Sequence, residues 1–229
     1  MQLLKSLPKL AHAIRHVTGR ILHKAEIDIK YETIGSEYGA HTLPLGFLEA
    51  KSIVYSFGIG NDVTFDLGVI KRYGCQVHGF DPTPRCKEWL LLQALPQEFV
   101  FHPFGLGEVD SLIGFQSPDR DGHVSFSRAK NNSIDLALPV KRLLTIMKEL
   151  GHNHIDVLKL DIEGFEYAAL TDIIQSRMFP KVLAVEFHHK MYGYADDATN
   201  VAVQSLRAAG FKLFFVSNTG REYSFIYNP

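Results

Sequence analysis

The alternation of apolar and polar positions divides the chain into a helical start, a turn-rich stretch and a long series of strands and helices. Leu3, Leu4, Leu7, Leu10, Ala11, Ile14, Val17 and Ile21 recur at helical spacing and predict an amphipathic helix over residues 1–25. Residues 26–50 are punctuated by Gly35, Gly39, Pro44 and Gly46 and carry no clear period. A β-rich run at 52–57 stops at Gly58-Ile59-Gly60, after which Val63, Phe65, Leu67, Val69 and Ile70 line a helix up to Gly74. A second strand follows at 76–80, closed by Asp81-Pro82, then a helix at 85–95 and a third strand at 99–101. Residues 106–138 break the alternation with Gly114, Pro118, Gly122 and a polar run, which predicts an extra hairpin and a mobile cover. Alternation resumes with a helix at 140–150, a strand at 155–160, a helix at 164–176, a strand at 182–187 and a helix at 197–209. Two β-rich runs, 211–216 and 222–227, close the chain around Ser217-Asn218-Thr219-Gly220.

Alternating strands and helices imply an α/β fold with a mostly parallel sheet, helices on both faces and a terminal antiparallel hairpin. Such sheets bind ligands at the carboxyl ends of their strands. Ser56-Phe57-Gly58-Ile59-Gly60-Asn61-Asp62 sits at such an end, where glycines allow a sharp turn and close approach of a ligand. A dinucleotide fingerprint wants a third small residue three positions later, and this chain has Val63. Asp81 ends the next strand about 20 residues on, where a carboxylate can accept both hydroxyls of a ribose. The order strand, Gly-x-Gly, helix, strand, acid predicts an adenosine-type ligand. Taken alone, Asp81 before Pro82 is also an ordinary turn residue.

The string Leu158-Lys159-Leu160-Asp161-Ile162-Glu163-Gly164-Phe165-Glu166 carries three ionisable groups to the end of a later strand. The next strand brings Glu186, His188 and His189 to the same edge. Such groups are costly there unless paired or used. Lys159 is either catalytic or a structural ion-pair partner of Glu163 or Glu186. His188 is either part of the chemistry or a hydrogen-bonded strand-end histidine.

With Val54 to Gly60, Phe80-Asp81-Pro82, Leu158 to Glu166 and Val185-Glu186-Phe187-His188 taken together, the chain resembles the FkbM-type and methyltransferase-like families of class I methyltransferases. The resemblance spans residues from about 50 to 227. It implies a Rossmann-like seven-stranded sheet, bound S-adenosylmethionine and methyl transfer, usually to oxygen. On that basis Ser56, Phe57, Gly58, Gly60, Asn61, Asp62, Phe80, Asp81, Pro82 and Asp161 are the expected cofactor contacts. Gly58, Gly60 and Asp62 meet the methionine end and Asp81 the ribose. Asp161, Glu163, Glu186, His188 and Lys159 are the expected catalytic set. Glu186 and His188 complete either a base or an oxygen-rich divalent-metal site with Asp161 and Glu163, and Asp161, Glu186 and His188 are the candidate metal ligands. The leading expectation is O-methylation of a hydroxyl on a sugar or other small molecule. Methylation of nitrogen, carbon or a macromolecule, and a non-catalytic adenosyl-binding module, are the alternatives.

Composition changes this picture in one place. The chain of 229 residues has a formal net charge of −1, which gives no reason to expect nucleic-acid binding. Residues 1–25 nevertheless carry Lys5, Lys9, Arg15, Arg20 and Lys24 and no acid, so +5 lies there and −6 on residues 26–229. The first 35 residues are therefore set apart as a basic extension from a methyltransferase domain over 36–229. The extension either packs on the fold or on a second copy of the chain, or docks on an anionic membrane surface. Two cysteines, Cys75 and Cys86, show no metal or disulfide spacing, and no apolar run approaches a bilayer span. The expectation is a cytoplasmic protein, with peripheral membrane contact through residues 1–25 as the alternative.

Overall fold

The computed structural model describes residues 23–116, 127–128, 136–189, 194 and 197–228. The predicted N-terminal helix and most of the predicted cover lie outside the described residues.

Apolar strands build a seven-stranded sheet. In chain order its members are β3 (Ile53–Phe57), β4 (Gln76–Phe80), β5 (Phe99–His102), β10 (Val157–Leu160), β11 (Val182–Glu186), β12 (Phe211–Val216) and β13 (Glu222–Tyr227). Their spatial order is β12-β13-β11-β10-β3-β4-β5, parallel from β11 to β5, with β13 inserted antiparallel between β11 and β12. Among the described residues five helices cover the sheet: α1 (Thr64–Tyr73), α2 (Pro84–Leu90), α3 (Leu143–Leu150), α4 (Glu166–Ser176) and α5 (Ala198–Ala208). Period-two alternation sorts the core into two clusters. Tyr55, Phe57, Leu158, Leu160 and Val185 face α3, α4 and α5, while Val54, Val77, Val157 and Val182 lie in the cluster that holds Val69 of α1.

Three departures from the sequence expectations bear on the site. Residues 26–50 contain an antiparallel hairpin, β1 (Tyr31–Ile34) and β2 (His41–Pro44), and β2 is wholly buried. Ser224 of β13 donates to the Thr42 carbonyl at 2.8 Å, so tertiary contacts hold these short strands. The helix expected over 85–95 ends at Leu90, five residues early, where the exposed Leu91 and Leu92 have no core to face. The helix expected from residue 140 starts at Leu143, because Leu136–Lys141 form strand β9. That strand joins β6 (Gly105–Leu106), β7 (Ser111–Gln116) and β8 (Ser127–Arg128) in a second sheet of order β6-β9-β7-β8. The extra hairpin in this region is thus present as part of a small four-stranded sheet.

Candidate active site

In the main sheet the register levels the carboxyl ends of three central strands, since Phe57 pairs with Phe80 on one side and Leu160 on the other. Helical connections leave this centre in opposite directions, the position where open α/β sheets hold ligands. Gly58, the first residue beyond β3, has φ +79°, and a Cβ there would meet the Asp161 carbonyl oxygen at 1.6 Å. Its N–H donates to the Phe80 carbonyl at 2.9 Å, so the loop is clamped between β4 and β10. Gly60 also has positive φ, +56°, but its Cβ position is open.

Asp81 is buried, and its carboxylate accepts the Gly60 N–H at 2.9 Å through Oδ2. Oδ1 accepts the Thr83 N–H at 2.9 Å and the Thr83 hydroxyl at 2.5 Å. Thr83 in turn caps α2, accepting from the Cys86 N–H. Asp81 therefore ties the glycine loop to the next helix, and a carboxylate's remaining lone pairs stay available to a ligand. Ser56 and Phe57 are fully buried within β3, and Phe80 stacks on Phe57 with ring centroids 4.2 Å apart. These three form the floor under the loop. Asn61 is exposed at the loop's crest, whereas Asp62 accepts the Ser36 hydroxyl at 2.5 Å and the Thr64 N–H at 2.7 Å. Asp62 thus pins the tip of the β1–β2 hairpin to the glycine loop, a bond that ties it down before any ligand arrives.

The second constellation gathers around His188. Glu163 occupies the left-handed region at φ +48°, followed by Gly164 at +97°, an unusual backbone for a glutamate and one concentrated at functional sites. The His188 Nε2 lies 3.2 Å from Glu163 Oε2, 3.9 Å from Asp161 Oδ1 and 3.9 Å from Glu186 Oε1. Its Nδ1 sits 2.9 Å from Glu166 Oε1, and the His188 N–H donates to the same oxygen at 2.8 Å. Glu166 is fully buried and also accepts the Gly164 N–H, so it fixes both the turn and the imidazole. Burial works against an imidazolium here, but the bond and charge of Glu166 and the charges of Glu163 and Asp161 outweigh it, lifting His188 to about 9. Glu186, paired with Arg221 at 3.3 Å, is pushed up to about 7 by burial and by the Asp161 charge. Asp161 is also raised, by burial first and then by the neighbouring acids. Donor atoms of Asp161, Glu186 and His188 all lie within 4.8 Å of one another.

Lys159 does not join these acids. It projects from the opposite face of β10 to Leu158 and Leu160, and its Nζ donates to the carbonyls of Gly58 at 2.8 Å and Phe57 at 3.2 Å. The expected pairing with Glu163 or Glu186 is replaced by contacts beneath the glycine loop. Sequence reasoning also passed over Glu166, Arg221, Thr83 and Ser36, whose roles rest on partners distant in the chain. Tyr194, whose hydroxyl donates to the Gly164 carbonyl and whose ring lies 4.5 Å from that of Tyr167, was missed for the same reason.

Comparison with known proteins agrees with this architecture. The model of the methyltransferase FkbM domain matches residues 38–213. The human protein named probable methyltransferase-like protein 24 is 27% identical over 171 residues, covering 70% of this chain and 41% of its own length. Its rat counterpart is 28% identical over 171 residues, covering 70% of this chain and 42% of its own. The chain thus spans about two fifths of the length of these curated relatives. The crystal structure of methyltransferase FkbM from Methylobacillus flagellatus aligns with a TM-score of 0.50 at 16% identity, over 80% of this chain and 45% of that one. Among the described residues, no helix is long and apolar enough to cross a membrane.

Proposed function

The chain belongs to the FkbM methyltransferase domain family, and from that premise we propose that it transfers a methyl group from S-adenosylmethionine to a hydroxyl of a small polyhydroxylated molecule. The observation that carries this reading is the facing pair of constellations at one sheet edge: the Gly58–Asp81 cradle and, across Asp161, a cluster of carboxylates around His188. Methyl transfer from a sulfonium is an in-line displacement, so alignment supplies much of the rate. The Asp81 carboxylate accepts the ribose hydroxyls, and the glycine loop meets the methionine end. Asp161 orients the acceptor toward the methyl group. Glu186 takes the acceptor's proton, since a carboxyl raised to about 7 is poised near neutrality for that task. The carboxylates also suit the hydroxyls of a polyol, which they accept in pairs.

Cofactor binding tests the first half. Asp81→Ala should raise the dissociation constant for S-adenosylhomocysteine by roughly 10- to 100-fold, as expected for lost bonds to a charged acceptor. Because Asp81 also holds Gly60 and Thr83, Asp81→Asn serves as the shape-preserving control and should show most of the loss. Calorimetry with no heat for this ligand but a clear titration with NAD would sink the assignment.

One observation favours a second reading of the chemistry. The Asp161, Glu186 and His188 donors converge, and Glu166 turns the His188 Nε2 toward the carboxylates, as a partner behind a ligating histidine does. A divalent ion held by these three would activate the acceptor hydroxyl as a Lewis acid. Under that reading turnover is lost on exhaustive chelation and returns with added Mg²⁺ or Mn²⁺. Unchanged turnover after chelation leaves Glu186 as the base.

A further inference from the structure

Below the glycine loop, on the side away from the His188 cluster, the fold buries a group of polar side chains that the proposed chemistry does not use. Lys159 is 5% exposed, Asp66 of α1 1%, Ser56 of β3 0% and His41 of β2 3%. A buried ammonium is costly unless its protons are well used. Here two of them go to the carbonyls of Phe57 and Gly58, at the bend where β3 becomes the loop. Ser56 Oγ and Asp66 Oδ1 are buried beside the ammonium, and the serine hydroxyl and the Lys159 charge both favour the ionised form of Asp66 against its burial. The fold thus holds an ammonium in its interior, partly offset by Asp66, behind the Gly58 peptide, where a Cβ would strike the Asp161 carbonyl oxygen.

Resting on the S-adenosylmethionine reading above, we infer that Lys159 is the positioning residue of the cofactor loop, and that it sets affinity for the amino-acid end of the ligand. By drawing the Phe57 and Gly58 carbonyls inward, Lys159 keeps acceptor oxygens away from the ligand's carboxylate. Its charge sits directly behind the loop and attracts that carboxylate without touching it. Asp66 and Ser56, on the two elements that flank the loop, complete the polar chamber that keeps the ammonium in place. The lysine in this strand therefore serves the cofactor, and the acids two and four residues later serve the acceptor.

The experiment compares two ligands that share adenosine and differ at the amino-acid end. Lys159→Met should weaken S-adenosylhomocysteine binding at least tenfold while affinity for 5′-methylthioadenosine, which lacks the carboxylate and ammonium, stays within about threefold. Lys159→Arg keeps the cation and should retain most of the selectivity between the two ligands, whatever it costs in thermal stability. If Lys159→Met does not fold, Lys159→Gln removes the charge with a polar tip and should shift the affinity ratio in the same direction. Equal losses for both ligands, or no loss for either, overturn the assignment of Lys159. A wild-type chain that binds neither ligand instead overturns the cofactor reading on which it rests.

Discussion

Gly58→Ala is expected to unfold the cofactor end of the sheet, or to lower global stability by more than about 3 kcal/mol, because no conformational escape is open to it. The new methyl group would lie 1.6 Å from the Asp161 carbonyl oxygen, which is backbone and cannot swing aside. Moving the loop outward would break the Gly58 N–H bond to Phe80 and the bonds from Lys159 to the Phe57 and Gly58 carbonyls. The positive φ of +79° adds strain of about 1–2 kcal/mol for any residue with a Cβ. Gly60→Ala separates these contributions. It faces a similar backbone strain at φ +56° but open space, so it should cost only about 1–2 kcal/mol. Urea denaturation of both variants checks the contrast. Equal midpoints would show that the close approach of β3 and β10 at Gly58 relaxes freely.

The same residues explain how much of the molecule was legible beforehand. Central strands buried on both faces read as continuous apolar runs, and β4, β12 and β13 fall at the residues their patterns predict. The glycines and Asp81 were legible because backbone freedom and a carboxylate at a strand end are local requirements. The hairpin β1–β2 was not, since its strands are four residues long and β2 is buried only by packing against the sheet and by bonds such as that from Ser224 to Thr42. Period two places Lys159 opposite Leu158 and Leu160 but on the same face as Asp161, so its separation from the acids comes only from the end of β10 at Leu160 and the turn through Glu163 and Gly164. Proximity along the chain to Asp161 and Glu163 hid it. Glu166 has no such local signal. Its carboxylate matters because α4 begins there and His188, 22 residues later and just past the end of β11, lies beside it, a coincidence only the fold creates.

Asp161→Asn and Glu186→Gln should each lower turnover by roughly 100- to 10,000-fold, the range a positioned acid–base or orienting group commands. S-adenosylhomocysteine affinity should stay within a few-fold, because in the proposed arrangement both side chains work on the acceptor side of Asp161. Both substitutions keep the shape of the side chain, so the bonds of Glu166 to Gly164 and His188 should survive. A pH profile adds the sign. Glu186 accepts a proton only as a carboxylate, so turnover of the wild type should fall as pH drops through about 7. His188, lifted to about 9, stays an imidazolium across that window and contributes no inflection there. Glu186→Gln should therefore leave residual activity that is flat through pH 7, and Asp161→Asn should move the inflection downward, since removing the neighbouring charge eases ionisation of Glu186. Wild-type turnover in both variants would make the edge carboxylates structural. A Glu186→Gln profile that keeps the wild-type inflection would pass the role of base to another group.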